Sequence, residues 1–277
     1  MISRLQIETG TRENKTFLKN CFFTTPFKVA NITENRSENC LHLMLMTSSP
    51  GILDGDEYQL SIELSERSCL KLHTQSYQRL FNMKKGATQS MKVYMKKNTS
   101  FCYLPHPSVP HESSDFVATN KIFLAGGCEL IFGEVLTCGR KLSGEKFKFS
   151  RFHNVTEIFL NERLIIKENL LVQPAKINVQ AIGQFEGFSH QASLIYLNEV
   201  VKVNGLISEI NELLLVEQNI CFGVSALPVN GIVVRLLGHK AEQLHNILQT
   251  IADFINATKS NDRAGERCIE KTVSHAD

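Results

Sequence analysis

Alternating apolar and polar positions predict β-strands over most of the first two hundred residues. In the clearest stretch, every second residue of 58–64 is apolar, which is the pattern of a half-buried strand. A turn rich in Gly and Asp, residues 49–56, precedes this strand. A polar corner at 65–68 follows it, and residues 69–72 begin a second strand. We therefore predict a unit made of a strand, a corner and a strand.

The same unit returns twice further along the chain. It is repeated by the strand pairs 91–95 with 101–104 and 121–124 with 128–132, so that the second strands start about 30 residues apart. Such a period is typical of stacked units, which cover one another's apolar faces. An ordinary β-sandwich also has short strands and regular turns. The spacing favours a solenoid and leaves the sandwich as the alternative.

Helical periodicity begins only near the C-terminus. Residues 208–216 start with a Ser suited to an N-cap, and residues 241–257 place their apolar side chains on one stripe. Between them, residues 231–237 have the composition of a buried strand. We expect one domain with three parts: a β scaffold over about 1–205, an α/β portion over about 206–260 and a polar tail over about 261–277.

Charge and hydropathy argue against two classes of partner. The formal net charge of +2 is spread without a long basic block, so we expect neither nucleic acid nor an anionic membrane as a ligand. Polar residues interrupt each apolar run before it could form a signal peptide or span a bilayer. We therefore expect a cytoplasmic protein. Its eight cysteines contain no C-x-x-C pair, which predicts free thiols in a reducing compartment.

The histidines do not form a standard metal motif. His106 and His111 bracket a Pro-containing loop, and their spacing matches none of the usual zinc patterns. We interpret this loop as a rigid, exposed binding surface, with zinc or nickel ligation as the alternative. His73, His153 and His190 fall singly on predicted strands, where we expect structural roles.

Carboxylates are the better candidates for chemistry. Asp56 ends the turn before the first strand, where its residue type favours local capping over metal binding or proton transfer. Glu129 and Glu134 flank an apolar segment, and their odd spacing puts them on opposite faces of a regular strand. They are therefore a poor pair for glycoside hydrolysis. Glu134 is the better candidate of the two, because a carboxylate among apolar residues needs a partner or a metal.

Motifs of the common enzyme classes are absent from the sequence. It contains no P-loop, no G-x-G-x-x-G that opens a helix, no G-x-S-x-G elbow and no H-E-x-x-H. Because no nucleophile with a recognisable partner stands out, we predict that the chain is not an enzyme.

A series of short motifs follows a fixed order over nearly the whole chain. They are Pro26-Phe27-Lys28-Val29, Ser49-Pro50-Gly51 with Gly55-Asp56, Thr74-Gln75-Ser76 with Leu80-Phe81, Leu104-Pro105-His106-Pro107, Gly133-Glu134 with Gly139-Arg140, Ser143-Gly144-Glu145-Lys146-Phe147, and Val224-Ser225-Ala226-Leu227-Pro228 with Val234-Arg235-Leu236-Leu237. Each motif is weak alone, but in this order they resemble the UreD/UreH family of urease accessory proteins.

The resemblance implies a mainly β fold, a right-handed β-helix-like solenoid scaffold with about two α-helices near the C-terminus. It implies that the chain binds the urease apoprotein and recruits a UreF-type helical accessory protein and a UreG-type GTPase, in a complex that can dimerise. Nickel would pass transiently through a polar internal passage, and no cofactor would be bound permanently. The matching positions are Asp56 and Glu134, together with Gln78 and Glu168.

Two other functions remain as alternatives to nickel delivery, and one segment is expected to bind the helical partner. A β-solenoid enzyme that acts on polysaccharide would use Asp56 and Glu134 as acid and base in an open groove. A structural adaptor would have no metal role. For the helical partner, we expect docking at the helix over 241–257 and the polar tail after it, which would become ordered on binding.

Overall fold

Strands dominate the fold up to residue 198 and again over 220–238. The computed structural model describes residues 1–35, 38–199, 203 and 205–273, with side chains up to residue 258. The first strands are β1 (Ile2–Arg12), β2 (Lys15–Phe23), β3 (Phe27–Asn31), β4 (Leu41–Thr47), β5 (Glu57–Leu64), β6 (Cys69–Thr74), β7 (Gln78–Leu80), β8 (Ala87–Met95) and β9 (Ser100–Tyr103). They are followed by β10 (Ser108–Pro110), β11 (Asp115–Leu124), β12 (Glu129–Thr137), β13 (Arg151–Leu160), β14 (Arg163–Val172), β15 (His190–Asn198), α1 (Leu206–Leu215), β16 (Ile220–Ala226), β17 (Gly231–Gly238) and α2 (Ala241–Val273).

These strands form two sheets in which sequence neighbours are not always spatial neighbours. Sheet A has the order β14-β13-β11-β8-β5-β1-β2. Sheet B has the order β16-β17-β15-β12-β9-β6-β4-β3, with β7 and β10 paired beside this path. The strands in the middle of each sheet pair in parallel. The antiparallel pairs lie towards the edges: β1 with β2, β3 with β4, β13 with β14, β12 with β15, β15 with β17, and β16 with β17.

The chain alternates between the two sheets as it advances. Strands β5, β8 and β11 pair in parallel in sheet A, and β6, β9 and β12 pair in parallel in sheet B. The sequence period is visible in the register, because Cys69, Ser100 and Glu129 lie opposite one another. The mainly β character and the repeated strand pair are therefore confirmed. The right-handed solenoid stays a prediction.

Two hydrophobic cores follow from this arrangement. The larger core is built by the inward faces of the two sheets and includes Leu5, Leu43, Ile62 and Phe101, all without exposed surface. The smaller core lies on the other face of sheet B, where α2 packs on β12, β15 and β17. Sheet B is thus covered on both faces at β12, β15 and β17.

Both predicted helices are confirmed, but α2 is longer than its apolar stripe. The stripe predicted for 241–257 is buried at Leu244, Leu248, Ile251 and Ile255. The helix then continues to Val273 through a stretch without proline, into residues that we expected to form a polar tail. The rest of that tail, residues 274–277, lies outside the described residues.

One cysteine pair shows that the prediction of free thiols was wrong for two residues. Cys40 and Cys69 form a disulfide, with Cα atoms 4.6 Å apart. Parallel pairing places Leu41 opposite Leu70, so the two cysteines just before them also meet. Their spacing is one repeat of the strand unit, a relation that no local motif reveals. Free thiols are confirmed at Cys21, Cys128, Cys138 and Cys221. Cys268 lies beyond the described side chains.

No helix in the described part of the chain is long and apolar enough to cross a membrane.

Stability should depend on the stacked leucines of the larger core. Leu70 of β6 has no exposed surface, and truncating such a side chain leaves a cavity between neighbouring units. We expect Leu70→Ala to lower the free energy of unfolding by about 2–5 kcal/mol in urea denaturation. The matched control is Leu164→Ala, because Leu164 is 44% exposed; it should change stability by under about 0.5 kcal/mol. Equal losses in the two variants would contradict this account of the core.

Candidate functional site

A layer of polar side chains crosses the inner face of sheet A. The parallel register aligns Ser3, Tyr58, Gln89, Ala118 and Asn154 on neighbouring strands. Residues at one register level of a parallel sheet point to the same face, and four of these five carry a polar group. The layer therefore places polar atoms inside a core whose other levels are mainly apolar.

At one point of the layer, Gln89 contacts the short strands beside sheet B. The Gln78 side-chain amide donates to Gln89 Oε1 at 2.9 Å, and the Ser108 hydroxyl donates to Gln78 Oε1 at 3.1 Å. Gln78 and Ser108 also lie opposite each other in the pairing of β7 with β10. Gln78, one of the four residues suggested by the resemblance, thus belongs to a hydrogen-bonded polar cluster between the sheets.

At the other side of the layer, Glu134 contacts Asn154, and a second asparagine holds Asn154 in place. The Asn154 side-chain amide donates to Glu134 Oε2. Asn120 in turn donates to Asn154 Oδ1 at 2.9 Å and to Thr156 Oγ1 at 3.0 Å. Asn120, Asn154 and Thr156 are all buried. Buried amides with defined partners fix the position of the carboxylate, because every alternative orientation would lose a hydrogen bond.

The strand β12 sets the direction of Glu134. Residues at even positions of β12, such as Phe132, belong to the core between the sheets. Residues at odd positions, such as Ile131 and Val135, belong to the core under α2. Glu134 therefore faces sheet A. Glu129 lies at an odd position and accepts from the Ser100 hydroxyl. The prediction that these two carboxylates lie on opposite faces of one strand is confirmed.

A cavity of about 130 Å³ lies along this polar layer. It is large enough for several waters, since one water needs roughly 10–15 Å³ by the same measure. The hydroxyl of Tyr58, which lines it, has no hydrogen-bond partner among the described residues. Its polar lining also includes Thr74, Gln78, Gln89, His106, Ser108, Asn120, Glu134 and Asn154. Apolar side chains such as Phe116, Phe132 and Phe152 also line it, so the space offers both polar contacts for water or a hydrated ion and apolar surface.

The charge of Glu134 depends on pH near neutrality. Burial is the main cause that raises its pKa to about 7, and the nearby Glu168 carboxylate raises it further. Hydrogen bonds from Asn154 and Ser193 and the positive charge of Arg235 act in the opposite direction. Near pH 7 the carboxyl can therefore gain or lose a proton with little change in free energy.

Glu168 lies behind Glu134, at the side of the sheets. Both of its carboxylate oxygens accept from Arg235 Nη2, at 2.7 and 2.8 Å, and its side chain is 26% exposed. This ion pair joins β14 of sheet A to β17 of sheet B. Glu168 is not part of the cavity lining, but its charge acts on Glu134.

Asp56 lies in the turn before β5 and caps it. Its Oδ2 accepts from the Leu53 N–H at 2.9 Å, and its Oδ1 lies 3.5 Å from the amino group of Met1. It does not line the cavity, although it is close enough to Tyr58 to raise the pKa of that phenol. Asp56 and Glu134 thus do not face each other across an open groove, so the geometry gives the polysaccharide enzyme no support.

No three His, Cys, Asp or Glu side chains within the described ranges converge as a complete metal site. The polar residues that sequence reasoning missed are Gln89, Asn120 and Asn154. In the sequence they resemble ordinary polar residues of strands, and only the register between strands brings them to Glu134 and Gln78.

Comparison with known proteins decides the family. The family model described as UreD urease accessory protein matches residues 2–271. The chain belongs to the UreD family of urease accessory proteins. The Urease accessory protein UreD of Flavobacterium johnsoniae is 48% identical over 252 residues, covering 91% of each chain. The proteins of the same name from Actinobacillus pleuropneumoniae and Acetivibrio thermocellus are 36% and 33% identical, with 93% and 91% of this chain and 98% and 97% of theirs covered.

Family membership confirms the resemblance drawn from the short motifs. It supports a role in urease maturation, since the relatives are named as accessory proteins. The individual roles of Asp56, Gln78, Glu134 and Glu168 stay predictions.

Replacing Glu134 with Gln should remove one component of the pH dependence of stability. The folded-state pKa of about 7 exceeds the ordinary value of 4.5, so the folded protein keeps a proton that the unfolded chain releases. The resulting stabilisation is full below the ordinary pKa and is lost as the pH rises through the folded pKa. Relative to Glu134→Gln, the wild-type free energy of unfolding should fall by about 3 kcal/mol between about pH 4 and pH 8.

Urea denaturation of both proteins at a series of pH values measures this difference. Glu157→Gln is a control, because the Glu157 carboxylate pairs with Lys167 at 2.9 Å and its pKa is lowered by that contact. Relative to Glu157→Gln, the wild type should not lose free energy of unfolding as the pH rises. Parallel pH curves for the wild type and Glu134→Gln would contradict the burial of an ionisable carboxyl in this layer.

Proposed function

We propose that this chain is a non-catalytic scaffold in urease maturation, through which nickel passes on its way to the urease active site. The observation that carries the proposal is the polar layer with its cavity, in a chain of the UreD family. Burying amides and a carboxyl in a core costs hydration energy that apolar side chains would not lose. Such a layer is therefore better explained by a transport role than by stability.

Nickel is the cargo in this proposal and is held only transiently. The layer offers amide and hydroxyl oxygens, from residues such as Gln78, Gln89 and Asn154, and the carboxylate of Glu134. Ni²⁺ binds imidazole and thiolate more tightly than such oxygen ligands. A row of weak oxygen ligands with room for water lets the ion enter, exchange its ligands and leave.

The carboxylates at the sides of the layer complete the proposed route. Glu168 adds negative charge beside Glu134, and its pairing with Arg235 links β14, the edge strand of sheet A, to β17 of sheet B. Asp56 lies near Tyr58, which lines the cavity. We infer that these two carboxylates attract the cation outside the cavity, while Gln78 and Glu134 contact it within.

The scaffold role requires partner proteins. We propose that the chain binds the urease apoprotein, recruits a UreF-type helical protein and a UreG-type GTPase, and works in the cytoplasm within a complex that can dimerise. The first half of α2 is used to cover sheet B, since Ile255 is the last buried residue among the side chains described up to residue 258. The remainder of the helix, up to Val273, is therefore the segment that we assign to the helical partner.

Activation of urease tests the nickel route. Glu134→Ala and Asp56→Ala should each lower urease activity several-fold in cells that produce the complete set of urease and accessory proteins, because each removes a ligand or a source of negative charge. The accessory complex should still assemble, as co-purification measures. Glu157→Ala is the matched control and should activate normally. Normal activation by both the Glu134 and the Asp56 variants would refute the route.

Truncation tests the docking segment. A chain that ends at Ala257 keeps the buried stripe of α2 and should have nearly the same melting temperature as the full chain. It should capture the helical partner several-fold less well in a pull-down. Unchanged capture would place the docking surface elsewhere.

A further inference from the structure

Two histidines on the outer face of sheet B form a pair that the sequence did not indicate. His42 lies on β4 and His73 on β6, at alternate positions to the buried Leu43 and Leu72, so both rings lie on the face opposite to the main core. His73 Nε2 is 3.4 Å from His42 Nδ1, and the two rings are nearly parallel. His73 is thus not the isolated strand histidine that we expected.

The distance between the two nitrogens is informative. It is longer than the usual range of about 2.7–3.2 Å for a nitrogen donor in a protein hydrogen bond. Two imidazole nitrogens bound to one tetrahedral metal lie roughly 3.3–3.4 Å apart, given bonds of about 2.0–2.1 Å. The separation therefore fits a shared cation better than a strong hydrogen bond between the rings.

A carboxylate sets the state of the first ring. Glu38 Oε1 lies 3.0 Å from His42 Nε2, which places the proton of a neutral ring on Nε2 and leaves the lone pair of Nδ1 towards His73. A carboxylate on the remote nitrogen is the usual support for a histidine that binds a metal, because it orients the ring and makes it a better ligand.

The surroundings include charges of both signs. Asp253 of α2 acts on His73 with negative charge, whereas Lys71 acts with positive charge. His106, whose charge also acts on His73, stacks on His245 of α2 with ring centroids 4.7 Å apart, and it lines the internal cavity. A second imidazole pair, at the cavity, thus lies near the pair of His42 and His73.

We propose that His42 and His73 form an external binding site for a borderline divalent cation that takes tetrahedral coordination, for which Zn²⁺ is the best fit. His42 Nδ1 and His73 Nε2 are the two ligands, Glu38 positions His42, and water completes the coordination. A site with two protein ligands is weak and exchangeable, which suits loading from a donor. The proposal goes beyond the internal route and does not depend on it, because metal binding by the isolated chain requires no urease.

Calorimetric titration of the purified full chain with NiCl₂ and with ZnCl₂ tests the site. The double variant His42→Asn with His73→Asn should bind at least tenfold more weakly than the wild type or lose one equivalent of metal. Glu38→Gln should weaken binding by about tenfold, the lower end of the effect expected for a supporting carboxylate. The control is His153→Asn, since His153 is a strand histidine whose Nε2 contacts the Asn169 amide oxygen at 2.8 Å; its binding should equal that of the wild type.

A second measurement keeps the test independent of folding in the variants. In imidazole nitrogen NMR spectra of the wild type, substoichiometric Zn²⁺ should shift the signals of His42 Nδ1 and His73 Nε2 before those of His153. Equal affinity of the wild type and the double variant would overturn the proposal. So would the absence of wild-type binding at millimolar metal, or shifts confined to other histidines.

Discussion

Parallel, in-register pairing between successive strand units is the constraint on which the rest of this structure depends. Each inner strand of sheets A and B satisfies its backbone hydrogen bonds with strands from the units before and after it. Register then fixes which side chains meet, because a slip of one residue would turn every side chain to the other face. Apolar side chains meet apolar side chains at most inward levels, as Leu41 meets Leu70 and Ile62 meets Val93. In the same way, cysteines one repeat apart meet as the Cys40–Cys69 disulfide.

The same constraint produces the polar site. A single polar residue that faces the core would be left without a partner, but in-register stacking places Gln89 and Asn154 at the same level, where Gln78 and Glu134 reach them from the other sheet. The result is a cavity in the core that polar groups and apolar side chains line together. Its carboxyl, Glu134, has a pKa near neutrality because burial and its hydrogen-bond partners oppose each other. Transient handling of a cation follows from such a group more naturally than covalent catalysis.

Local patterns were sufficient for the elements but not for the contacts between them. Period-two alternation located β5, and the apolar stripe located the first half of α2, because both signals lie within one element. The odd spacing of Glu129 and Glu134 gave the correct faces of β12. In contrast, nothing in the sequence separated Asn154 from a solvent-facing asparagine, or joined His42 to His73. These pairs depend on register across strands. Gln78 and Glu168 were predicted from family resemblance alone, and Asp56 mainly from it.

The central claim is that a cation occupies the polar layer between the two sheets. Diffraction at the nickel absorption edge from crystals of the assembled accessory complex, soaked in Ni²⁺, tests it most directly. We predict an anomalous peak in the cavity within bonding or water-bridged distance of the Glu134 carboxylate, and its loss in crystals of Glu134→Gln. Nickel peaks found only on the protein surface, with none between the sheets, would contradict the claim.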